Sequence, residues 1–211
     1  MLNQKCKLCL VATANQDKLI EIKEILRDFP LQVVAAGELG PEIEVEETAG
    51  TFGGNACLKA KAYREVYPDA YILSDDSGLC VDALNGQPGI YSARFGGTSS
   101  DYQKKSQLIW DMLRDKAVPE TEWSARFVCA LAWWEPQSSE PLLFNGEMEG
   151  CIIPERRGEN GFGYDPIFFL PQYGQTSAEI SPALKNRISH RGLALEKLKN
   201  YLFSNLPVIN L

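Results

Sequence analysis

One pair of adjacent acids, Asp75 and Asp76, stands out among the residues of this sequence that could do chemistry, and Ser77 follows it directly. The pair separates the apolar run YIL from GLCV, so it interrupts a segment whose residues are typical of a strand. Adjacent carboxylates in apolar surroundings are costly unless a cation binds them. Magnesium prefers carboxylate oxygens and takes only one or two from a protein, with water and substrate phosphates completing its shell. The pair therefore predicts a magnesium site or an acid–base centre, with a solvated turn as the alternative.

A second pair of acids, Glu46 and Glu47, lies in the connection GPEIEVEETAGTF. Because the whole stretch is acidic, these residue types alone favour a solvated loop over a set of metal ligands. The connection ends at Thr51, a residue type preferred at helix N-caps, and GGNACLKAKAYREVY then has the composition of a helix that Pro68 ends. The second pair is thus predicted to precede a helix.

A polar turn lies between the first apolar run and the first helical pattern. The backbone N–H groups at a helix N-terminus carry partial positive charge, and a lysine ammonium beside them would face the same anion. The turn lacks the glycine spacing of a Walker loop or a dinucleotide fingerprint, so an ordinary capped helix start is the alternative. The residues of this candidate phosphate site are Thr13, Ala14, Asn15, Gln16, Asp17 and Lys18.

The last polar cluster alternates glycine with aromatic residues in GENGFGYD. Glycine lets the backbone approach a ligand closely, and the rings of Phe162 and Tyr164 suit stacking on a base, although such rings are more often core residues. His190, the only histidine, stands beside Arg191 at a predicted helix start, which favours a hydrogen-bonding or charged role. The candidate base-binding residues are Phe162, Gly163, Tyr164, Asp165, Lys185, His190 and Arg191.

The pattern of apolar residues predicts the strands and helices that must position these clusters. KLCLVATA and LQVVAA are typical of strands, and the run between them has apolar residues at helical spacing. SARFVCALAWW and PLLFNGEMEGCIIP predict two long strands joined by the turn EPQSSE, and residues 101–116 and 189–203 predict helices. Helices interspersed with strands that also form hairpins predict an α/β protein with a mixed sheet, with the polar clusters at strand ends.

Composition limits the classes of function. The 211 residues are 45% hydrophobic, which is enough for one large domain, and the net charge of −7 contains no run of like charges. The electrostatic footprint of a nucleic-acid or membrane binder is therefore missing, and neither partner is expected. The lack of a signal or membrane-spanning pattern predicts a cytoplasmic location. Most cysteines lie in apolar stretches and are predicted to be core thiols, with zinc or redox use of Cys6 and Cys9 as the alternative.

Four stretches together resemble the inosine triphosphate pyrophosphatase family, whose members are also called dITP/XTP pyrophosphatases. The stretches are VATANQDKLIEIKEIL, EETAGTFGGNACLKAKA, SDDSGLCVDALNGQPGIYSARFGG and GFGYDPIFFLPQYGQTSAEISPALKNRISHRGLAL. They follow one another between residues 11 and 198, so the resemblance covers nearly the whole chain. It implies one domain over residues 1–211 with an ITPase-like α/β fold, a long mixed sheet flanked by helices, two lobes around a central cleft, and a homodimer.

The resemblance also implies roles for individual residues. The family's phosphate-binding loop matches residues 13–18, and its base pocket matches residues 162–165 with Lys185, His190 and Arg191. The metal-binding glutamate matches Glu46, with Glu47 as a possible substitute. The metal-associated proton acceptor matches Asp76, and a substrate-contacting serine matches Ser77.

One position departs from the family pattern. Gly54 stands where many relatives carry an acid, before the asparagine that matches Asn55. If that acid helps to place the metal, this protein is expected to bind magnesium more weakly than those relatives.

The implied activity is hydrolysis of non-standard purine nucleoside triphosphates (ITP, dITP and XTP) to the monophosphate and pyrophosphate, with Mg2+. Lys18, and more weakly Lys59, would balance charge on the leaving pyrophosphate, and Asp76 would orient or deprotonate the attacking water. Arg191 or Lys185 near position 6 of the purine would disfavour adenine, because two donors would then face each other. The alternatives are a pyrophosphatase for modified pyrimidine triphosphates and a nucleotide-binding regulatory module without catalysis.

Overall fold

The computed structural model describes residues 6–97 and 101–206 of the chain. Its strands are β1 (Lys7–Ala12), β2 (Leu31–Ala35), β3 (Tyr71–Val81), β4 (Ser124–Trp134), β5 (Leu142–Ile152), β6 (Phe168–Leu170) and β7 (Gln175–Thr176). Its α-helices are α1 (Gln16–Leu26), α2 (Phe52–Val66), α3 (Tyr102–Asp115), α4 (Pro182–Ile188) and α5 (His190–Asn205). Among these residues, no helix is both long enough and apolar enough to cross a lipid bilayer.

The seven strands form a single mixed sheet in the order β2-β1-β3-β4-β5-β6-β7. Strand β1 pairs in parallel with both β2 and β3, whereas β6 pairs antiparallel with β5 and β7. The parallel pairs require crossover connections, and helices α1 and α2 supply them. The predicted α/β class and the predicted mixed sheet are confirmed.

The chain divides into two compact units. Unit 1 comprises the residues up to Asp76, residues 129–146 and the residues from Arg191 onward, and unit 2 comprises residues 77–128 and 147–190. Strands β3, β4 and β5 each contribute residues to both units. Two units agree with the two predicted lobes, and the cleft stays a prediction.

The core of unit 1 lies where the sequence pattern predicts it. Leu19, Ile22 and Leu26 of α1 are buried together with Cys9 and Val11 of β1, as helical spacing and strand alternation require. The N-cap residue Asn15 begins α1 by accepting hydrogen bonds from the backbone N–H groups of Asp17 and Lys18. The cap fixes the start of the helix beside the end of β1.

The polar residues that follow YIL do not end the strand, so the prediction that the acids lie at a strand end is wrong. Strand β3 runs without interruption from Tyr71 to Val81, and the carboxylates of Asp75 and Asp76 are buried within it. The prediction failed because it treated two buried acids as incompatible with a strand interior. Cations on other elements of unit 1 pair with both, and a paired buried charge needs no strand end.

Candidate active site

Asp75 lies at the centre of a buried group of charges in unit 1. Its side chain is 0% exposed, and its carboxylate accepts hydrogen bonds from Lys18 and from Arg191 Nε, the latter at 2.8 Å. Arg191 also donates to Glu21 Oε2 at 2.6 Å, and the Cys129 thiol lies 3.4 Å from Asp75 Oδ2. Burial alone would raise the pKa of Asp75, but the charges of Arg191 and Lys18 hold it well below its ordinary value. Asp75 is therefore a fixed anion.

Asp76 has different partners on the other face of the strand. Its Oδ2 accepts a hydrogen bond from Asn55 Nδ2 at 3.2 Å, and its Oδ1 lies 3.2 Å from Lys59 Nζ. Burial raises the pKa of Asp76, and the carboxylate of Glu47 adds to the effect, whereas Lys59 and Asn55 lower it. The Asp76 side chain is 9% exposed, against 0% for Asp75. Of the two acids, Asp76 is better suited to accept a proton, because its pKa is raised and its side chain keeps a small exposure that Asp75 lacks.

The ammonium of Lys59 contacts acids from both acidic pairs of the sequence, Glu46–Glu47 and Asp75–Asp76. It lies 3.0 Å from Glu47 Oε1 and 3.2 Å from Asp76 Oδ1, and it donates to the backbone oxygen of Asp75 at 2.7 Å. Burial alone would lower the pKa of Lys59, but the carboxylates of Asp76 and Glu47 raise it. A positive charge is thus held between two carboxylates that come from different segments of the chain.

The same donors suit magnesium. Hard carboxylate oxygens are its preferred protein ligands, and one or two suffice when phosphates and water supply the rest. The carboxylates of Asp76 and Glu47 both contact the ammonium of Lys59, so they lie close to each other. The side chain of Glu46, the candidate ligand from the sequence, is exposed. Over residues 6–97 and 101–206, no three His, Cys, Asp or Glu side chains are grouped as a metal site would require. Asp76 and Glu47 are thus two carboxylates of unit 1 that could supply oxygen ligands to an ion.

The candidate phosphate turn leads directly into α1. Thr13 Oγ1 accepts the backbone N–H of Asn15 at 3.1 Å, and Asn15 Oδ1 accepts the N–H groups of Asp17 and Lys18 at 2.9 and 3.2 Å. The non-glycine residues with positive φ in the described chain are Asn85 and Ala117, so Ala14 adopts no backbone conformation that requires glycine. The turn thus places the Lys18 ammonium against Asp75 in unit 1.

Two of the base-binding candidates in unit 2, Phe162 and Lys185, are held by a third candidate, Asp165. Its Oδ2 accepts the backbone N–H of Phe162 and the ammonium of Lys185, both at 2.8 Å. The Lys185 ammonium also lies 4.7 Å from the centre of the Phe162 ring. A Cβ atom at Gly161, where φ is +73°, would collide with the Asp165 carboxylate. Glycine is therefore required for this close approach, which fixes a half-buried ring beside a cation.

The remaining candidates of unit 2 differ in exposure. Tyr164 is a core residue, in line with the observation that such aromatic rings more often belong to a core than to a binding site. Its ring packs in the apolar core of unit 2, and its hydroxyl donates to Ser92 O at 3.1 Å. His190 is buried and stacks on Phe127, with ring centroids 4.8 Å apart. Ser77 and Gly163 are half-buried.

Three side chains of this region were missed or weighted too low by sequence reasoning. Glu21 shares Arg191 with Asp75, Asn55 bonds to Asp76, and Lys59, a weaker candidate in the sequence, contacts both acidic stretches. The sequence does contain a signal for two of them. Asn55 and Lys59 are four residues apart in a predicted helix, which places them on one face of α2. No local signal marks Glu21, because its partner is 170 positions away along the chain.

Comparison with known proteins gives a consistent result across the chain. The model of the Ham1 family matches residues 9–201. A relative named dITP/XTP pyrophosphatase from Caldanaerobacter subterraneus is 42% identical over 93% of this chain and 96% of its own length. A relative of the same name from Bacillus cereus is 45% identical over 93% of this chain and 95% of its own length.

Solved structures agree with the sequence comparison. The Ham1 protein of Staphylococcus aureus superposes with a TM-score of 0.83 at 38% identity, covering 94% of this chain and 99% of that one. A HAM1 protein from Coxiella burnetii gives a TM-score of 0.83 at 40% identity, with the same coverage of 94% and 99%. The similarity extends over nearly the full length of both chains.

Proposed function

The chain belongs to the Ham1 family, and from that premise we propose that it is a pyrophosphatase that hydrolyses the non-standard purine nucleoside triphosphates ITP, dITP and XTP. The products are the nucleoside monophosphate and pyrophosphate, so the reaction removes deaminated purines from the nucleotide pool. The observation that carries the proposal at the level of residues is the unequal pair Asp75 and Asp76. Asp75 is enclosed by Lys18 and Arg191, which lower its pKa, whereas Asp76 bonds to Asn55 and Lys59, keeps some exposure, and has a raised pKa.

The proposed reaction is attack of water on the α-phosphorus. The bond between that phosphorus and the oxygen bridging to the β-phosphate breaks, pyrophosphate leaves, and Asp76 takes the proton of the attacking water. Phosphoryl transfer depends chiefly on placement and charge neutralisation. Lys18 and Lys59 are the cations of unit 1 that would offset the phosphate charge. Lys18 pairs with Asp75, and Lys59 pairs with Asp76 and Glu47.

Magnesium is proposed as the cofactor, held by Asp76 and by Glu46, with Glu47 as the alternative carboxylate. When bound, the ion neutralises phosphate charge and lowers the pKa of a bound water. The residues contribute hard oxygen ligands and a carboxylate that is already placed opposite a cation in unit 1.

Selectivity for the purine is proposed to lie with Lys185 and Phe162. A ring can stack on any purine and so adds affinity without choice. The Lys185 ammonium lies over one face of the Phe162 ring, 4.7 Å from its centre. The proposal is that a base stacks on this ring and that the ammonium then donates to the edge of the base. The acceptor at position 6 of hypoxanthine or xanthine suits that donor, whereas the amino group of adenine leaves two donors facing each other. Arg191, the other sequence-based candidate for this role, is engaged by Asp75 and Glu21 in unit 1.

We further propose a homodimer and a cytoplasmic location. The dimer rests on the resemblance to the pyrophosphatase family, and sedimentation velocity is its direct test. The location rests on the six cysteines, all of which are free thiols, a state that suits a reducing compartment.

The test of the function is release of pyrophosphate from ITP, XTP, dITP, ATP, GTP and dUTP, with and without magnesium. We expect magnesium-dependent release from the deaminated purines and loss of it in Asp76→Asn, which keeps the shape of the side chain. Asp111→Asn is the matched control, because Asp111 is an exposed acid on α3. Equal rates on all six nucleotides would contradict the proposed selectivity. Release from dUTP alone would favour a pyrimidine enzyme, and no release from any nucleotide would favour a regulatory module.

A further inference from the structure

Asn55 is a buried polar residue of α2 to which the sequence assigned no role. Its side chain is 0% exposed, yet both ends of its amide have partners in unit 1. The oxygen Oδ1 accepts the backbone N–H of Ala49 at 3.0 Å, and the nitrogen Nδ2 donates to Asp76 Oδ2 at 3.2 Å. A buried amide is costly unless its polar atoms are bonded, so this side chain is held in one orientation by two contacts.

The contact to Ala49 anchors the acidic segment. Residues 41–50 carry Glu46 and Glu47 but form neither helix nor strand, so side-chain contacts must hold them. Three contacts from α2 do so: Tyr63 accepts the N–H of Ile43 at 3.2 Å, Lys59 bonds to Glu47, and Asn55 bonds to Ala49. The position of the acidic segment is therefore set by one face of one helix.

The contact to Asp76 fixes the proposed base. Asn55 and Lys59 are one helical turn apart and contact different oxygens of the same carboxylate, Oδ2 and Oδ1 of Asp76. Two donors on two oxygens define the plane of the carboxylate group. Each oxygen retains a lone pair for a water molecule or an ion, since a carboxylate oxygen accepts two hydrogen bonds.

We infer that Asn55 is a positioning residue that holds Asp76 in a fixed orientation and at a fixed distance from the acidic segment. The inference rests on the proposed function and deepens it. Asn55 does not react; it donates to Asp76 through one amide atom and ties the segment carrying Glu46 and Glu47 through the other. Misplacement of a catalytic group by about 1 Å can cost about 100-fold in rate. We therefore expect its loss to lower kcat by about 100-fold and to leave KM nearly unchanged.

Two substitutions separate the two contacts. Asn55→Asp keeps an oxygen that can accept the N–H of Ala49 but places a second carboxylate against Asp76. Asn55→Ala removes both contacts. Thr51→Ala is the control for loosening of α2 alone, because Thr51 caps that helix by accepting the N–H of Gly54 and does not contact Asp76.

The experiment combines kinetics with ITP, thermal unfolding, and amide hydrogen exchange of residues 41–51 in the nucleotide-free protein. We expect both Asn55 variants to lose kcat beyond the loss in Thr51→Ala at equal stability, and only Asn55→Ala to lose protection at Ala49. Unchanged kcat, or a loss that follows the melting temperature as in Thr51→Ala, would overturn the inference. If the wild type does not cleave ITP, the proposed function fails, and only hydrogen exchange tests the inference. Equal protection of the Ala49 amide in the two Asn55 variants would then show that Asn55 does not anchor the acidic segment.

Discussion

Adjacent residues on a strand point to opposite faces, and this alternation gives Asp75 and Asp76 different tasks. Asp75 is enclosed by Lys18 and Arg191, whereas Asp76 faces Asn55 and Lys59. We therefore expect the stability of the protein to depend on Asp75 and the proposed chemistry to depend on Asp76.

We predict that Asp75→Asn lowers the free energy of unfolding by about 3–5 kcal/mol, because it leaves the buried charges of Arg191 and Lys18 without their shared anion. Asp76→Asn is expected to cost clearly less, because burial already disfavours the charged form of that acid and Lys59 keeps Glu47 as a partner. Urea denaturation of both variants measures the difference. Equal stability of the two would contradict the division of tasks.

Glu46 and Glu47, in the loop before α2, differ in exposure, so replacing each in turn tests which of them is a magnesium ligand. Glu46 is exposed, so Glu46→Gln should hardly change the melting temperature but should raise the magnesium concentration for half-maximal activity if Glu46 is a ligand. Glu47→Gln weakens a half-buried pair with Lys59 and should lower the melting temperature. A magnesium requirement that changes only in Glu47→Gln would transfer the ligand role from Glu46 to Glu47.

Several candidate residues of the site carry signals in the sequence, but the partners that they contact do not. Asp76, Lys18 and the GFGYD cluster carry local signals, such as a polar interruption or an alternation of glycine with rings. The pairing of Arg191 with Asp75 joins positions 116 residues apart and exists only because of how the strands and helices are arranged. Tyr164 shows the converse, since it carries the same local signal but its ring packs in the apolar core of unit 2.

Most elements were predictable, because their apolar spacing and their caps agree. Residues 16–26 form the predicted α1 with Asn15 as its cap, and Thr51 caps α2 as expected. The prediction that Asp75 and Asp76 lie at a strand end was wrong for one reason. It was based on the pattern of apolar residues, and in that pattern two adjacent acids mark the end of a strand. Cations contributed by α1 and α2 make two buried acids tolerable, and that compensation is not visible locally.

Gly54, near the start of α2, is the position at which the resemblance to the pyrophosphatase family predicts an acid in many relatives. A Cβ atom at Gly54 would lie 2.5 Å from the Cβ of Ala49 and 3.1 Å from Thr51 Oγ1. We predict that Gly54→Glu destabilises the protein by about 1–3 kcal/mol through this collision. Adding Ala49→Gly should restore most of the loss, and the double variant should need less magnesium than the wild type.

Urea denaturation of the single and double variants, with a magnesium titration of activity, tests the coupling of positions 49 and 54. Ala49→Gly alone is the control for added backbone freedom. A Gly54→Glu protein as stable as the wild type would show that the loop moves aside without a cost in free energy. The predicted coupling of positions 49 and 54 would then be contradicted.

At the scale of the whole molecule, the sequence predicts an α/β chain with a mixed sheet but not how the chain is divided. Each unit is assembled from separated segments, and the boundaries fall inside strands β3, β4 and β5 and at the start of α5. Two sequence motifs cross such a boundary: Ser77 follows Asp76, and Arg191 follows His190, each in the other unit. A motif that is continuous in sequence therefore contributes to two different environments.

Because three strands belong to both units, we predict that the protein unfolds in one cooperative transition. Leu198 in unit 1 and Leu113 in unit 2 are both 0% exposed, and replacing a buried leucine by alanine costs about 2–5 kcal/mol. Leu198→Ala and Leu113→Ala should each lower the temperature of the same single transition in differential scanning calorimetry, with equal calorimetric and van't Hoff enthalpies. Two transitions, each moved by only one of the variants, would instead mean that the strands break at the unit boundaries before either core is lost.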